Sequence, residues 1–331
     1  MEEAPAGRLL QFEGEAPMAV GTSPVVETDT ALPRPVKVGS PHKRPYREWL
    51  TSYAFLIPAF IVIGGFTFVA MAIAIFLSFF KYDGFTLEWA GLHNYAKAIV
   101  NADFHRALLN VLYYMVVVVT FQTILALTMA LVLDRIMVGR GVFRTVYYLP
   151  AITSSVVMGL IFSWLFSPGG WVGSLVGIFI PGLREFGWLL DPGTALPAIM
   201  TTTIWSTAAT FMIVFVAGLQ DIPTHIYEAA KIDGAVGWRS LWNITIPLLR
   251  PTLFLVVVLG TIGTLQVFDQ VYVMTNGGPL KSTLTPVFLI YTNGFRDFSF
   301  GLGSAEAFIL FAIIFTFTLI QRRFIDTTVE Y

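Results

Sequence analysis

The sequence predicts an all-α polytopic membrane protein with six transmembrane helices, and two observations carry that reading. Of 331 residues, 56% are hydrophobic and 12% charged, against about 25% charged in soluble domains. So little polar surface cannot cover a globule in water. Residues 51–80, 107–133, 145–183 and 192–220 contain no Asp, Glu, Lys or Arg, and each run exceeds the roughly 20 residues that cross a bilayer as a helix.

The spans are expected at 52–80, 108–133, 144–167, 195–220, 251–275 and 302–321. The third run is too long for one helix, but Ser167-Pro-Gly-Gly170 breaks it. The piece that follows, 171–183, is too short to cross and reads as a helix or re-entrant segment at the far interface. Residues 1–40 are rich in Pro, Gly, Ala, Glu and Thr without periodicity, and 1–50 are expected to be a disordered cytoplasmic tail. Residues 326–331 form a short C-terminal tail. No apolar run with a small-residue cleavage site precedes Thr51, so the first span is expected to act as its own insertion signal.

Orientation follows from the basic residues. With six spans, the side holding both termini and the 134–144 and 221–250 loops carries 14 Lys and Arg, against 6 on the other. Lys43, Arg44, Arg47, Arg135, Arg140, Arg144, Arg322 and Arg323 flank spans directly, so both termini are expected in the cytoplasm.

Composition also bounds the chemistry. A net charge of −1 and the lack of a basic aromatic patch give no sign of nucleic acid. Without cysteine there is no disulfide or thiolate metal site. His42, His93, His105 and His225 have no metal-ligand spacing, and no metal site is expected. No Gly-Lys dipeptide occurs, hence no phosphate loop for ATP.

One segment is out of character for so apolar a chain. LQDIPTHIYEAAKIDGAVGWRSLWNITIPLLRP, between spans four and five, reads as helix, turn, helix. Asp221 or Thr224 is placed to cap the first helix, with Pro223 in an early turn. Gly234 suits a left-handed stop. A second helix is expected from about Val236 to Pro247, whose missing donor would set the angle into span five. Two uses fit: docking of a partner against Glu228 and its small neighbours, or an ordinary interfacial helix on the headgroups.

Inside the spans, Gln266, Asp269 and Gln270 are spaced to share a helix face, with Asp269 about 27 Å along from Pro251. A sugar-facing polar wall and a structural hydrogen-bond cluster both fit. Asn110, Tyr113, Tyr114, Gln122 and Trp205 fit a cavity lining, and also interhelical or interfacial positions. Glu306 is expected as an interface residue near the outer end of span six.

The loop also resembles a known family. Glu228-Ala-Ala230, Gly234, Ile244 and Pro247 are similar to the EAA loop of permease subunits of binding-protein-dependent ABC importers: E-A-A, three residues, G, nine residues, I, one residue, L-P. Ile246 stands where the family has Leu. Asn276-Gly-Gly-Pro279, Thr283, Tyr291, Phe295 and Gly301 resemble the segment after span five in maltose and glycerol-phosphate type permeases. The matches cover roughly 219–305, and the long tail lies outside them.

The resemblance implies a type I ABC importer permease fold and a multi-pass subunit of the cell membrane, not itself an enzyme, that moves a sugar or polyol-phosphate. It implies a second permease subunit, expected as a heterodimer, two ATPase subunits carrying ATP and Mg, an extracytoplasmic sugar-binding protein, and surrounding lipid. Glu228, Ala229, Ala230, Asp233, Gly234, Ile244 and Pro247 become an ATPase-coupling loop. Glu228 would be its polar contact, the alanines would permit close approach, and Gly234 and Pro247 would be its joints. Gln266, Asp269, Gln270, Asn110, Gln122 and Trp205 are the substrate-path candidates. The alternative is a secondary transporter or channel for a small polar solute, for which no internal repeat is visible. An intramembrane enzyme would need a catalytic set at depth that the sequence lacks.

Overall fold

The computed structural model describes residues 46–135 and 139–324, so nearly all of the expected N-terminal tail and the 326–331 tail lie outside the described residues. Helix α1 (Tyr46–Val62) passes through a π-helical turn (Ile63–Val69) into α2 (Ala70–Ser78). None of the most apolar window of this span is buried within the chain. A hairpin follows, β1 (Phe80–Tyr82) and β2 (Leu87–Trp89), with Phe80 opposite Trp89. The all-α expectation did not include it. Asp83 builds the turn by accepting from the Phe85 and Thr86 amides at 2.9 and 2.7 Å, and these bonds hold its carboxyl below the usual carboxylate range.

Helix α3 (His93–Val100) leads into α4 (Ala102–Arg135), a helix of 34 residues. Its buried stripe runs Phe104, Ala107, Val111, Tyr114, Val118, Gln122, Ala126, Ala130 and Leu133, at intervals of three and four that keep one face inward. The main partner is α8 (Ala195–Gln220), which buries Ala208, Ala209, Met212 and Phe215. Lipid is as apolar as leucine, so contact between such helices is held by close packing and hydrogen bonds rather than by expulsion of water. Small residues on both faces allow that approach.

Between them come α5 (Arg140–Ile152), α6 (Ser155–Leu165) and α7 (Trp171–Phe179). The third span is therefore not one helix: α5 and α6 meet at 93°. Pro150 lacks the N–H for the turn before it, and Thr153 and Ser154 are extended.

After α8 come α9 (Thr224–Ile232), α10 (Trp238–Ser240), a π-helical turn (Leu241–Thr245), α11 (Ile246–Leu248), α12 (Arg250–Leu265) and α13 (Asp269–Met274). The expected fifth span, 251–275, is thus interrupted at 266–268. Thr285 Oγ1 donates to the Val267 carbonyl at 3.1 Å, taking an acceptor that a continuous helix would use. Helix α14 (Pro286–Tyr291), a π-helical turn (Thr292–Arg296) and α15 (Phe300–Phe324) complete the chain.

Among the described residues four helices are long and apolar enough to cross a membrane alone: Tyr53–Ser78, Ala102–Asp134, Ala195–Gln220 and Phe300–Arg323. The bent pairs Gly141–Ile152 with Ser155–Leu165, and Trp238–Leu248 with Arg250–Leu265, bring the number to six if each is one span. Glu306 lies within the last of these helices, fully buried, and both its oxygens accept from Asn293 Nδ2, at 2.8 and 2.9 Å. Glu306 lies in the second turn of α15, and Asn293 supplies the partner that a buried carboxylate needs.

Candidate functional site

The interruption of span five builds the site. Where α12 stops, Gln266, Val267 and Phe268 leave helical geometry, and with Asp269 and Gln270 they line a cavity of about 250 Å³. Tyr114 and Gln122 of α4, Ser155 at the start of α6, Thr203 and Thr207 of α8, and Gly260 and Thr264 of α12 complete the lining.

The walls are tied together by hydroxyls. Tyr114 donates to Thr203 Oγ1 at 2.6 Å, and Thr207 donates to Gln122 Oε1 at 2.6 Å. Ser155 donates to Asp269 Oδ2. Gln122 is 1% exposed, yet its Nε2 has no hydrogen-bond partner. A buried amide left so costs about 1–3 kcal/mol. The amide lies over Gly260, where a Cβ would come within 2.3 Å of Nε2. Glycine there makes room for the donor.

Of the six sequence candidates for the path, the structure brings Gln122, Gln266, Asp269 and Gln270 to this cavity. The shared helix face and the position of Asp269 measured along a continuous helix are corrected, since Gln266 stands outside both α12 and α13. Asn110 is elsewhere: its Nδ2 donates to the carbonyls of Lys281 and Leu284, at 3.2 and 2.9 Å. Trp205 is on the outer side of α8, 47% exposed, and Tyr113 is likewise exposed. Ser155, Thr203, Thr207 and Thr264 were not singled out from the sequence. The run Thr153-Ser-Ser155 and the threonines of α8, polar inside apolar spans, were the signal.

A second cavity, of about 350 Å³, is lined by Asp103, Asn276, Lys281, Thr292, Asn293 and Asp297 among others. Lys281 and Asp103 form an ion pair there at 2.6 Å.

The polar loop forms a separate surface. No side chain caps α9: Pro223 occupies the N-cap position, which corrects the capping expected of Asp221 or Thr224. Ile226 and Tyr227 turn inward, and Ala230 is buried at 6% exposure, while Glu228 and Ala229 point out. The three-to-four residue repeat of a helix dictates this split, so of the two alanines only Ala229 is open to a partner. Gly234 has φ +72°, and a Cβ there would meet nothing within 4 Å. The second helical stretch starts at Trp238 rather than Val236, because Gly237 is also left-handed, at φ +57°. Nor does Pro247 end it. Pro247 sits inside α11 after the π-helical turn, and the 70° bend falls at Leu249. Leu249 is buried in one core with Leu219, Ile222 and Val256, against which Ile226 and Tyr227 pack. Asp233 is exposed and Ile244 half-buried.

Comparison with known proteins agrees with this architecture. The chain is 32% identical over 287 residues to the trehalose/maltose transport system permease protein MalF of Thermococcus litoralis, covering 85% of this chain and 95% of that protein. It is 32% identical over 286 residues to the sn-glycerol-3-phosphate transport system permease protein UgpA of Agrobacterium fabrum, covering 84% and 96%. Its fold matches a chain of a bacterial alginate ABC transporter, solved in complex with an alginate pentasaccharide-bound periplasmic protein, with a TM-score of 0.74 at 24% identity, covering 86% and 98%. Residues 122–328 match the family described as binding-protein-dependent transport system inner membrane component. With relatives this similar along most of its length, the chain belongs to that family.

Proposed function

We propose that the chain is the membrane-spanning subunit of an ATP-driven importer that passes a sugar or polyol-phosphate, delivered by an extracytoplasmic binding protein, through the cavity at the span-five break. The observation that carries this reading is the exposed face of α9. Glu228 and Ala229 point outward on α9 with Ile232, and Trp238 follows at the start of α10; the two apolar side chains are 87% and 72% exposed. Large apolar side chains grouped around one short helix suit a protein partner. In this reading the partner is one of two ATPase subunits that bind ATP and Mg, since this sequence has no phosphate loop.

The coupling route follows from the packing. Motion of the ATPases displaces α9, whose inward Ile226 and Tyr227 share a core with Leu249. Leu249 is the bend from which α12 departs, and the other end of α12 holds Gly260 and Thr264 in the cavity wall. A rigid shift of α12 therefore moves one wall against Tyr114, Gln122 and Thr203 on α4 and α8. A second permease subunit, in a heterodimer, completes the pathway, and both termini lie in the cytoplasm.

Co-purification and energetics test the proposal. ATPase subunits are expected to accompany the chain from membranes, and uptake into vesicles to stop on ATP depletion with a proton gradient maintained. Uptake that continues, with no ATPase bound, would mark a secondary transporter instead.

A further inference from the structure

The importer reading leaves the charge of the solute open, since a sugar and a polyol-phosphate both fit it. The cavity chemistry separates them. Among the described residues lining it none is Lys, Arg or His, and Asp269 is the one charged side chain. Resting on that importer reading, we propose that the membrane site takes a neutral, hydroxyl-rich solute and disfavours anions such as phosphate esters and uronates.

Three observations converge on this. The free polar groups are neutral or hydrogen-accepting. Gln122 Nε2 is a buried donor without a partner, and Gln266 and Gln270 add amides that both donate and accept. Asp269 uses Oδ2 for Ser155, which leaves Oδ1 to accept a hydroxyl. A sugar presents donors and acceptors to match all of these, whereas an ionised phosphate presents acceptors alone and meets a carboxylate.

The second cavity does not reverse the balance. Its one ammonium, Lys281, is held by Asp103 at 2.6 Å, and Asp297 adds a further carboxylate. In both cavities, therefore, the carboxylates outnumber the cations that would meet an anion entering the membrane. Two negative charges about 5 Å apart, at the effective dielectric of a protein site, repel by enough to lower binding on the order of a hundredfold.

Binding of labelled probes to the purified, fully assembled transporter, with the binding protein omitted, reads the selectivity of the membrane site itself. The neutral probes are trehalose, maltose and lactose, and the anionic ones are sn-glycerol 3-phosphate and an alginate oligosaccharide. At least one neutral probe is expected to bind on the order of a hundredfold more tightly than either anion. Asp269→Asn is expected to narrow that gap on the order of tenfold, and Ser155→Ala, which keeps the carboxylate, to leave it wide. The ratio does not depend on how much protein each variant yields. Anion binding equal to or tighter than neutral binding, a gap unmoved by Asp269→Asn, or no binding of any probe overturns the inference. ATP-driven uptake with the binding protein restored tests the importer reading separately, so the two can fail independently.

Discussion

Lys281 Nζ donates to both carboxylate oxygens of Asp103, at 2.8 and 2.6 Å, joining the turn after span five to the start of α4. The side chains are 55% and 37% exposed, and pairs this open contribute about 0.2–1 kcal/mol. The firmer tie lies about two turns further along α4, where Asn110 holds two carbonyls of the same segment. Lys281→Ala is therefore expected to shift thermal unfolding of the detergent-solubilised protein little. Asn110→Ala should cost about 1–3 kcal/mol by leaving a part-buried carbonyl unmet. A larger loss from Lys281→Ala than from Asn110→Ala would reverse that ranking.

Gly234 offers a clean separation of folding from coupling. Its left-handed backbone costs a residue with a Cβ about 1–2 kcal/mol, but the space around it is open. Gly234→Asp is expected to insert in the membrane at near wild-type level while ATP hydrolysis becomes uncoupled from uptake. Membrane fractionation alongside ATPase and uptake assays checks this, and transport at the wild-type rate would remove Gly234 from the coupling loop.

What was readable in the sequence follows how local each cause is. Spans were legible because a run without charge can be satisfied only across a bilayer, and the turn at Gly234 because only glycine fits it cheaply. The bend between α5 and α6 was legible in principle from Pro150 and the Thr153-Ser-Ser155 run. The break at 266–268 was not. Gln266-Val-Phe268 contains neither glycine nor proline, and the bond that draws off the Val267 carbonyl comes from Thr285, 18 residues away. Gln122 could be named from its polarity alone, but its unpaired amide became visible only once Thr207 and Gly260 were placed beside it.

The Gln122 amide gives a transport prediction. Gly260→Ala puts a methyl where Nε2 now lies, and because the obstructing atom is the far end of a flexible side chain, the fold accommodates it. The donor is then turned away from the cavity. Uptake by the assembled transporter is expected to show KM raised on the order of tenfold, the equivalent of one lost hydrogen bond, with protein level close to wild type. An unchanged KM would place the amide outside the solute path.

The Glu306–Asn293 pair separates structure from transport in the other direction. Glu306 is fully buried on α15, and Asn293 lies in the π-helical turn before it, so the two bonds lock that turn onto the last span. Glu306→Gln keeps a carbonyl oxygen for the Asn293 amide and nearly the same volume. Glu306→Ala leaves both a void and an unmet donor, together worth about 2–5 kcal/mol. Thermal unfolding of the solubilised protein should therefore fall steeply for Glu306→Ala and modestly for Glu306→Gln, with ATP-driven uptake by Glu306→Gln retained. Loss of uptake in a well-folded Glu306→Gln protein would mean that the negative charge itself takes part in transport, as in a proton relay, and would favour an ion-coupled mechanism over the ATP-driven one.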